Sequence, residues 1–195
     1  TRLNDPARPP AFEREVAILE ALSGPLADSG VRAPRLIAYE PSMFATYTAF
    51  TSGTDKWSQI GDADEKTAAA HDFIAQIAKL HAIDATAHPL RGFGDPRESI
   101  SARLRRKIAE LRAINLAATP DPILLLGLDW LEANIPEDSG PSVIVHGDAG
   151  PGNFLCEGGK VTALLDWELA HYGDPLEDLA GIWVRMLFNP FLPPR

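Results

Sequence analysis

The chain has 195 residues, the size of one domain or of a small lobe joined to a larger one. Hydrophobic residues make up 45% of it and charged residues 23%, a balance that excludes a disordered or collagen-like protein. The net charge of −9 disfavours nucleic acid and anionic membranes as partners, and the lone Cys156 excludes an internal disulfide and indicates a cytoplasmic location.

The first quarter of the chain predicts a helix followed by two short strands. Over residues 12–26, apolar side chains recur at three- and four-residue spacing, as on the buried face of a helix. Residues 35–39 (RLIAY) and 44–50 (FATYTAF) are short runs that favour β-structure. We expect these runs to form a small hairpin or a sheet edge.

The middle of the chain predicts three helices. Asp62 or Asp64 can cap a long helix that runs to about residue 84 with one apolar face. Two more helices are expected over residues 99–116 and 122–135, and Pro122 lies in the first turn of the second.

The pattern changes after Pro141 to short strands. Residues 142–146 (SVIVH) read as a buried strand, and residues 153–156 and 160–166 as two strands joined by a Glu-Gly-Gly turn. Residues 174–188 are helical in pattern. Together these elements predict an α+β fold.

Three oxygen-bearing side chains surround this second hairpin. Asp148 lies two residues after His146 in a tight loop, and Asn153 and Asp166 lie 13 residues apart at the two ends of the hairpin. Such a hairpin would bring Asn153 and Asp166 together, and a few oxygen ligands suffice for Mg²⁺ when phosphates and waters complete its shell. A further carboxylate is then free to orient a hydroxyl and accept its proton.

The alternative is that these three are unrelated turn residues, since Asp and Asn both favour turns. Their spacing and the strands that flank them favour a common site instead.

The motifs in this region follow the protein-kinase order. HGDAGPGN matches the pattern H-x-D-x-x-x-x-N, and an aspartate in D-W-E ends the following strand. Glycine after the histidine, and D-W-E in place of D-F-G, resemble instead the aminoglycoside phosphotransferase and choline kinase family of small-molecule kinases. The string VTALLDWELAHYGDPLEDLA resembles the acyl-CoA-dehydrogenase-associated branch of that family. The resemblance is dense over residues 142–183 and faint over residues 12–86.

The resemblance implies a protein-kinase-like fold, mostly the helical C-terminal lobe with a catalytic β-hairpin, plus a remnant of the N-terminal lobe. It implies an ATP- and Mg²⁺-dependent phosphotransferase that moves the γ-phosphate to a hydroxyl of a small molecule. Asp148 would be the catalytic base, and Asn153 and Asp166 would hold the Mg²⁺. Four further residues would support the site structurally: His146, Glu168, Asp174 and Asp178.

The resemblance also implies where the nucleotide binds. FEREVAILEAL resembles the helix whose glutamate pairs with the ATP-binding lysine, which makes Glu15 the candidate, although Glu15 also fits an ordinary acid near a helix N-terminus. The segment from Thr48 resembles the hinge whose backbone contacts adenine, so Thr48, Ala49 and Phe50 are expected to contact the nucleotide. Residues 1–53 would then be a partial N-terminal lobe and residues 54–195 the catalytic lobe, incomplete at its C-terminus.

The chain departs from the family pattern at both ends. Its first lysine is Lys56, and no glycine-rich strand-loop-strand precedes Phe12. We therefore expect a fragment clipped at both ends, with impaired turnover by itself, because the lysine and the loop position ATP.

Two other functions stay open. The missing lysine favours a non-catalytic, kinase-like nucleotide-binding remnant. A metal-dependent hydrolase using His146, Asp148, Asp166 and His171 is a distant alternative, because two-metal sites usually need more ligands, and His171 otherwise reads as a surface loop residue. The acceptor, the choice between ATP and GTP, and the oligomeric state are not encoded in a recognisable motif.

Overall fold

A computed structural model describes residues 8–137 and 140–188. Within those residues the helices are α1 (Arg8–Ser23), α2 (Ala63–His81), α3 (Ile100–Ala117), α4 (Pro122–Ala133) and α5 (Pro175–Phe188). The strands are β1 (Leu36–Glu40), β2 (Ala45–Thr48), β3 (Val143–Val145), β4 (Phe154–Glu157), β5 (Lys160–Leu164) and β6 (His171–Gly173). They pair antiparallel as β1–β2, β3–β6 and β4–β5.

The chain divides into two compact units. One comprises residues 1–96 and 143–195, and it contains α1, α2, α5 and the six strands named above. The other comprises residues 97–142, in which α3 packs on α4 and Arg112 bridges to Asp129 and Glu132 at 2.5 and 2.8 Å. Every residue of the predicted site belongs to the first unit, and the lobe boundary expected at residue 53 stays a prediction.

Helix α1 begins at Arg8, four residues before the expected start. Pro9 and Pro10 lie in its first turn, where a missing backbone N–H costs no helical hydrogen bond. The helix ends at Ser23, just before Gly24, and buries Val16 and Ile18 in the core.

Helix α2 supports the hairpin that carries the predicted site. Asp62 caps the helix by accepting the backbone N–H groups of Asp64 and Glu65, both at 3.0 Å. The apolar face of α2 packs on β3 and β5, and Phe73 stacks on Phe154 of β4 with ring centroids 4.7 Å apart. The hairpin therefore rests on a packed helix.

The predicted β4–β5 hairpin is present, but its second strand ends at Leu164 and not at residue 166. Asp166 has the left-handed backbone angle φ +63°, which ends the strand and starts a 3₁₀ turn over Trp167–Leu169.

Strand β6 was not expected from the sequence. His171 pairs with Val145 of β3, so the interpretation of His171 as a surface loop residue is wrong. Three residues ending in glycine are too short to show a strand periodicity.

The architecture confirms an α+β fold. The core of the first unit joins side chains from α1, α2, the strands and the 3₁₀ turn after β5, among them Ile18, Ile77, Leu80, Leu164, Trp167 and Tyr172. Within the two described ranges, no helix has both the length and the apolar character needed to cross a bilayer.

Candidate active site

The loop that follows β3 is held by one buried carboxylate on α5. Asp178 accepts the backbone N–H of His146 at 2.9 Å and that of Gly147 at 2.8 Å. It also accepts a hydrogen bond from Nε2 of His81, at the end of α2, at 2.8 Å. Two helices and the loop therefore meet at the Asp178 side chain.

The charge of Asp178 is maintained by these contacts. Burial acts to raise the pKa of Asp178, but the hydrogen bonds from His81 and from the two backbone N–H groups outweigh it and hold the pKa below its ordinary value. A buried carboxylate that stays ionised needs all of its donors, so the loop is firmly attached to α5.

His146 joins the same loop to the hairpin. Its Nε2 lies 2.9 Å from the carbonyl oxygen of Leu165, and because a carbonyl only accepts, Nε2 carries the proton. Nδ1 is buried and has no hydrogen-bond partner among the described residues. Burial lowers the pKa of His146, so the ring is neutral, and it packs against Trp167 with centroids 4.6 Å apart. These contacts fit a bracing residue better than a proton carrier.

Gly147 provides the sharp turn that carries the chain from β3 to Asp148. Its φ is +81°, and a Cβ there would lie 2.3 Å from the carbonyl oxygen of Leu169. A side chain at this position would meet fixed backbone, so the turn requires glycine.

Asp148 and Asn153 are bonded to each other across the loop. The Asn153 side-chain amide donates to the backbone carbonyl oxygen of Asp148 at 2.8 Å. It also donates to Oδ2 of the Asp148 carboxylate at 2.7 Å. The other carboxylate oxygen, Oδ1, contacts the guanidinium of Arg185 on α5. The carboxylate is about 30% exposed, so it is oriented by the protein and still reachable from solvent.

Asp166 lies next to this pair. The backbone N–H of Leu165 donates to the carbonyl of Asn153 at 2.8 Å, and Asp166 follows directly with an exposed side chain. The structure thus brings Asn153 and Asp166 to the same end of the β4–β5 hairpin.

The available ligand atoms fit magnesium. Asn153 uses its NH₂ group on Asp148, which leaves its carbonyl oxygen available, and Asp166 offers a carboxylate. Mg²⁺ is held by one or two carboxylates plus phosphates and water in many enzymes.

The hydrolase alternative lacks its ligand set. Over residues 8–137 and 140–188, no group of three or more His, Cys, Asp or Glu side chains could hold a metal ion. His171 contacts the Leu169 carbonyl at 2.8 Å and Glu177 at 3.0 Å, and Nε2 of His146 contacts Leu165. The four residues of that hypothesis do not form one site.

Glu15 lies near the predicted metal residue. It accepts a hydrogen bond from Thr46 at 3.2 Å, while burial, followed by the charges of Asp166 and Glu168, raises the pKa of Glu15. Glu168 is exposed and is tied to α1 through its backbone carbonyl, which accepts from Arg14 at 3.0 Å. The acids near Glu15 therefore form a region of negative potential.

The hinge-like segment follows β2. Thr48 ends that strand, and the N–H of Ala49 donates to the Arg35 carbonyl at 2.8 Å, so this N–H is already used. The Phe50 side chain is 93% exposed. Farther on, Thr54 exchanges two backbone hydrogen bonds with Cys156 of β4, which attaches this segment to the hairpin.

Asp174 and Glu177 form a capping box at the start of α5. Asp174 accepts the N–H of Leu176 at 2.9 Å, and Glu177 accepts the N–H of Asp174 at 3.0 Å. Asp174 therefore supports the helix from which Asp178 reaches the loop.

Neither the role of Arg185 nor the contact of His81 with Asp178 was predicted from the sequence. Arg185 lies seven residues after Asp178, so two helical turns place both on one face of α5. The sequence shows that spacing. It does not show that Arg185 contacts Asp148, which lies 37 residues earlier in the chain.

The model of the phosphotransferase enzyme family (APH) matches residues 1–194. The chain belongs to this family. Among curated relatives, acyl-CoA dehydrogenase family member 10 of Mus musculus is 28% identical over 181 residues, which cover 87% of this chain and 16% of the relative. The family resemblance inferred from the motifs, including its acyl-CoA-dehydrogenase-associated branch, is confirmed.

Solved structures show the same fold. A putative aminoglycoside phosphotransferase from Ralstonia eutropha JMP134 is 28% identical with a TM-score of 0.71, covering 93% of this chain and 57% of that one. A thermostable mutant of the aminoglycoside phosphotransferase APH(4)-Ia, in ternary complex with ADP and hygromycin B, is 19% identical with a TM-score of 0.69, covering 92% and 62%. The protein-kinase-like fold is thereby confirmed, and this chain spans about three fifths of the length of these two structures.

Proposed function

We propose that this chain carries the catalytic site of an ATP- and Mg²⁺-dependent phosphotransferase that moves the γ-phosphate of ATP to a hydroxyl of a small molecule. The observation that carries the proposal is the Asp148 carboxylate. Asn153 contacts one of its oxygens and Arg185 the other. The backbone N–H of the preceding Gly147 donates to Asp178. Asp148 also lies beside Asn153, at the end of the hairpin that leads to Asp166.

Asp148 would act as the general base. It accepts the proton of the acceptor hydroxyl while the bond from the hydroxyl oxygen to the γ-phosphorus forms and the bond from that phosphorus to the leaving oxygen of ADP breaks. Because little covalent chemistry is left to the protein in phosphoryl transfer, orientation of this carboxylate is the main contribution. The hydrogen bonds from Asn153 and the Asp178-held loop support that orientation.

Asn153 and Asp166 would hold Mg²⁺ through their side-chain oxygens. A bound ion would supply positive charge that neutralises the ATP phosphates. The exposed Asp166 carboxylate supports this assignment, as does the carbonyl oxygen of Asn153, whose NH₂ group already donates to Asp148.

Thr48, Ala49 and Phe50 would bind the adenine through backbone groups. The Ala49 N–H is engaged by Arg35, so the neighbouring backbone groups of the segment would make the contact. Glu15 would pair with a lysine of the nucleotide site. The first lysine of this chain is the exposed Lys56, so the 195-residue polypeptide by itself is proposed to turn over slowly.

The test is an ADP-release screen of the full-length protein with Mg-ATP against hydroxylated compounds: aminoglycosides, choline-like alcohols, sugars, amino alcohols and hydroxyacyl thioesters. Acceptor-dependent ADP release with a phosphorylated product supports the proposal. Absence of release with every acceptor, together with intact Mg-ATP binding, would favour the second candidate, a non-catalytic nucleotide-binding remnant.

We also propose a cytoplasmic location, where ATP is abundant and the buried Cys156 thiol stays reduced. Subcellular fractionation tests it, and recovery in a membrane or secreted fraction would contradict it.

A further inference from the structure

Helix α5 presents two side chains to the loop after β3. Asp178 holds the backbone at the beginning of that loop, through the N–H groups of His146 and Gly147. Arg185, two turns later on the same face, reaches the middle of the loop. Helix α5 therefore contacts both the backbone of the loop and the side chain of Asp148.

Arg185 makes two contacts in the loop. One nitrogen of its guanidinium contacts Oδ1 of Asp148, and the other lies 3.4 Å from the carbonyl oxygen of Pro151. Its side chain is about 35% exposed, so it is largely covered by the protein. A guanidinium that bonds a carboxylate and a carbonyl together fixes an angle as well as a distance.

The loop provides space for this arginine. A Cβ on Gly150 would lie 2.5 Å from Cδ and 3.2 Å from Nε of Arg185. The side chain of Arg185 thus passes directly over Gly150 on its way to Asp148. The absence of a side chain at residue 150 therefore leaves the space that Arg185 occupies.

The loop contains no positive charge of its own. HGDAGPGN has no Lys or Arg, and the hairpin end that follows contributes the acid Asp166. Arg185 therefore brings a cation to an acidic region from a separate helix. The contact also leaves Asp148 able to react, because an ionised carboxylate has about four acceptor sites and Arg185 and Asn153 use only part of them.

We propose that Arg185 is a positioning residue for phosphoryl transfer: it holds Oδ1 of Asp148 while Asn153 holds Oδ2, and so aims the carboxylate at the acceptor hydroxyl. This inference rests on the proposed function. It assigns to α5 a role in catalysis that the H-x-D-x-x-x-x-N and D-W-E motifs do not contain.

The test compares variants of the full-length protein with Mg-ATP and the acceptor found in the ADP-release screen. Arg185→Ala is expected to lower kcat on the order of 100-fold, as a misplaced reacting group does, while KM for ATP stays unchanged. Added guanidinium ion is expected to restore part of the lost kcat, and Arg185→Lys to retain more activity than Arg185→Ala. A purely structural role would not respond to guanidinium.

Gly150→Ala tests the same contact without removing charge. The added methyl group forces the Arg185 side chain aside, so kcat should fall in the wild-type background and change little further in Arg185→Ala. Arg91→Ala is the matched control, because Arg91 forms an exposed ion pair with Glu20 at 3.4 Å outside the site. Its kcat should equal that of the wild type.

The outcomes separate this inference from the function on which it rests. If Asp148→Asn abolishes turnover while Arg185→Ala keeps or increases it, Asp148 is the base and the role of Arg185 is wrong. Loss of turnover in Arg185→Ala without rescue by guanidinium, and with full activity in Gly150→Ala, would also overturn the inference. If Asp148→Asn keeps normal turnover, or the wild type transfers no phosphate, the proposed function itself fails.

Discussion

Nε2 of His146 donates to the carbonyl oxygen of Leu165 at 2.9 Å, directly before Asp166. This bond joins the loop that carries Asp148 to the strand end that leads to the proposed metal ligand. The relative position of the proposed base and the proposed metal ligand therefore depends on a buried, neutral imidazole.

Stability should fall with acid because of His146. Burial lowers the pKa of His146 in the folded state, so the unfolded chain binds a proton first as the pH drops through the ordinary histidine value of about 6.5. The contribution of the neutral His146 ring to the free energy of unfolding is fully present above that pH. It is lost as the pH falls below that value, by at most about 1.4 kcal/mol per pH unit. Urea unfolding at a series of pH values between 7.5 and 5 measures the slope.

His146→Gln should flatten this slope, since an amide can still donate to Leu165 and does not titrate. His88→Gln is the control, because His88 is exposed. Equal slopes for wild type and His146→Gln would contradict the role assigned to the buried ring.

Asp178→Ala should destabilise the protein strongly. It leaves the N–H groups of His146 and Gly147 and the ring of His81 without their acceptor, and breaking a buried, charged contact costs about 3–5 kcal/mol. Chemical denaturation measures the loss, with exposed Asp55→Ala as the control. A change below 1 kcal/mol would show that Asp178 does not hold the loop.

Gly147→Ala should also destabilise, by about 1–3 kcal/mol, because alanine would be strained at φ +81° and its methyl group would meet the Leu169 carbonyl. Gly181 in α5 provides an opposite case: a Cβ there meets nothing within 4 Å. Gly181→Ala should stabilise by about 0.5–1 kcal/mol, as expected for a helix interior. Thermal unfolding of the two variants should move in opposite directions, and equal shifts would refute the backbone argument.

Asp166→Ala should weaken the binding of Mg-ATP to the full-length protein while leaving magnesium-free ATP nearly unaffected. The reason is that a carboxylate ligand contributes to affinity only when the ion is present. Isothermal titration with and without Mg²⁺ measures the difference, and Asp129→Ala in α4 is the control. Equal weakening in both conditions would place Asp166 on the nucleotide and not on the metal.

Local sequence patterns were sufficient for the features that depend on neighbouring residues. The Asp62 cap, the Gly158-Gly159 turn and the pairing of β4 with β5 follow from short-range preferences, and they led to the hairpin that brings Asn153 beside Leu165. Motif order then indicated the family.

Features that depend on distant partners could not be predicted in the same way. Strand β6 forms by pairing with β3, in which Val145 lies opposite His171. Its three residues are too few to show a strand periodicity in the sequence. Strand β5 ends at Leu164, two residues before the predicted end, because Asp166 has a left-handed backbone conformation. The strand propensities of these residues do not indicate that conformation. Arg185 belongs to the site through a contact 37 residues away in sequence.

The proposed phosphoryl transfer depends on the Asp148 carboxylate, and one variant tests this role most directly. Asp148→Asn keeps the size of the side chain and removes the base, so the acceptor-dependent kcat for ADP release by the full-length protein should fall about 10²- to 10⁴-fold. Affinity for Mg-ATP should stay unchanged, and Asp28→Asn, at an exposed position in a 3₁₀ turn, should behave as wild type. Normal turnover in Asp148→Asn would contradict the assignment of this residue as the base.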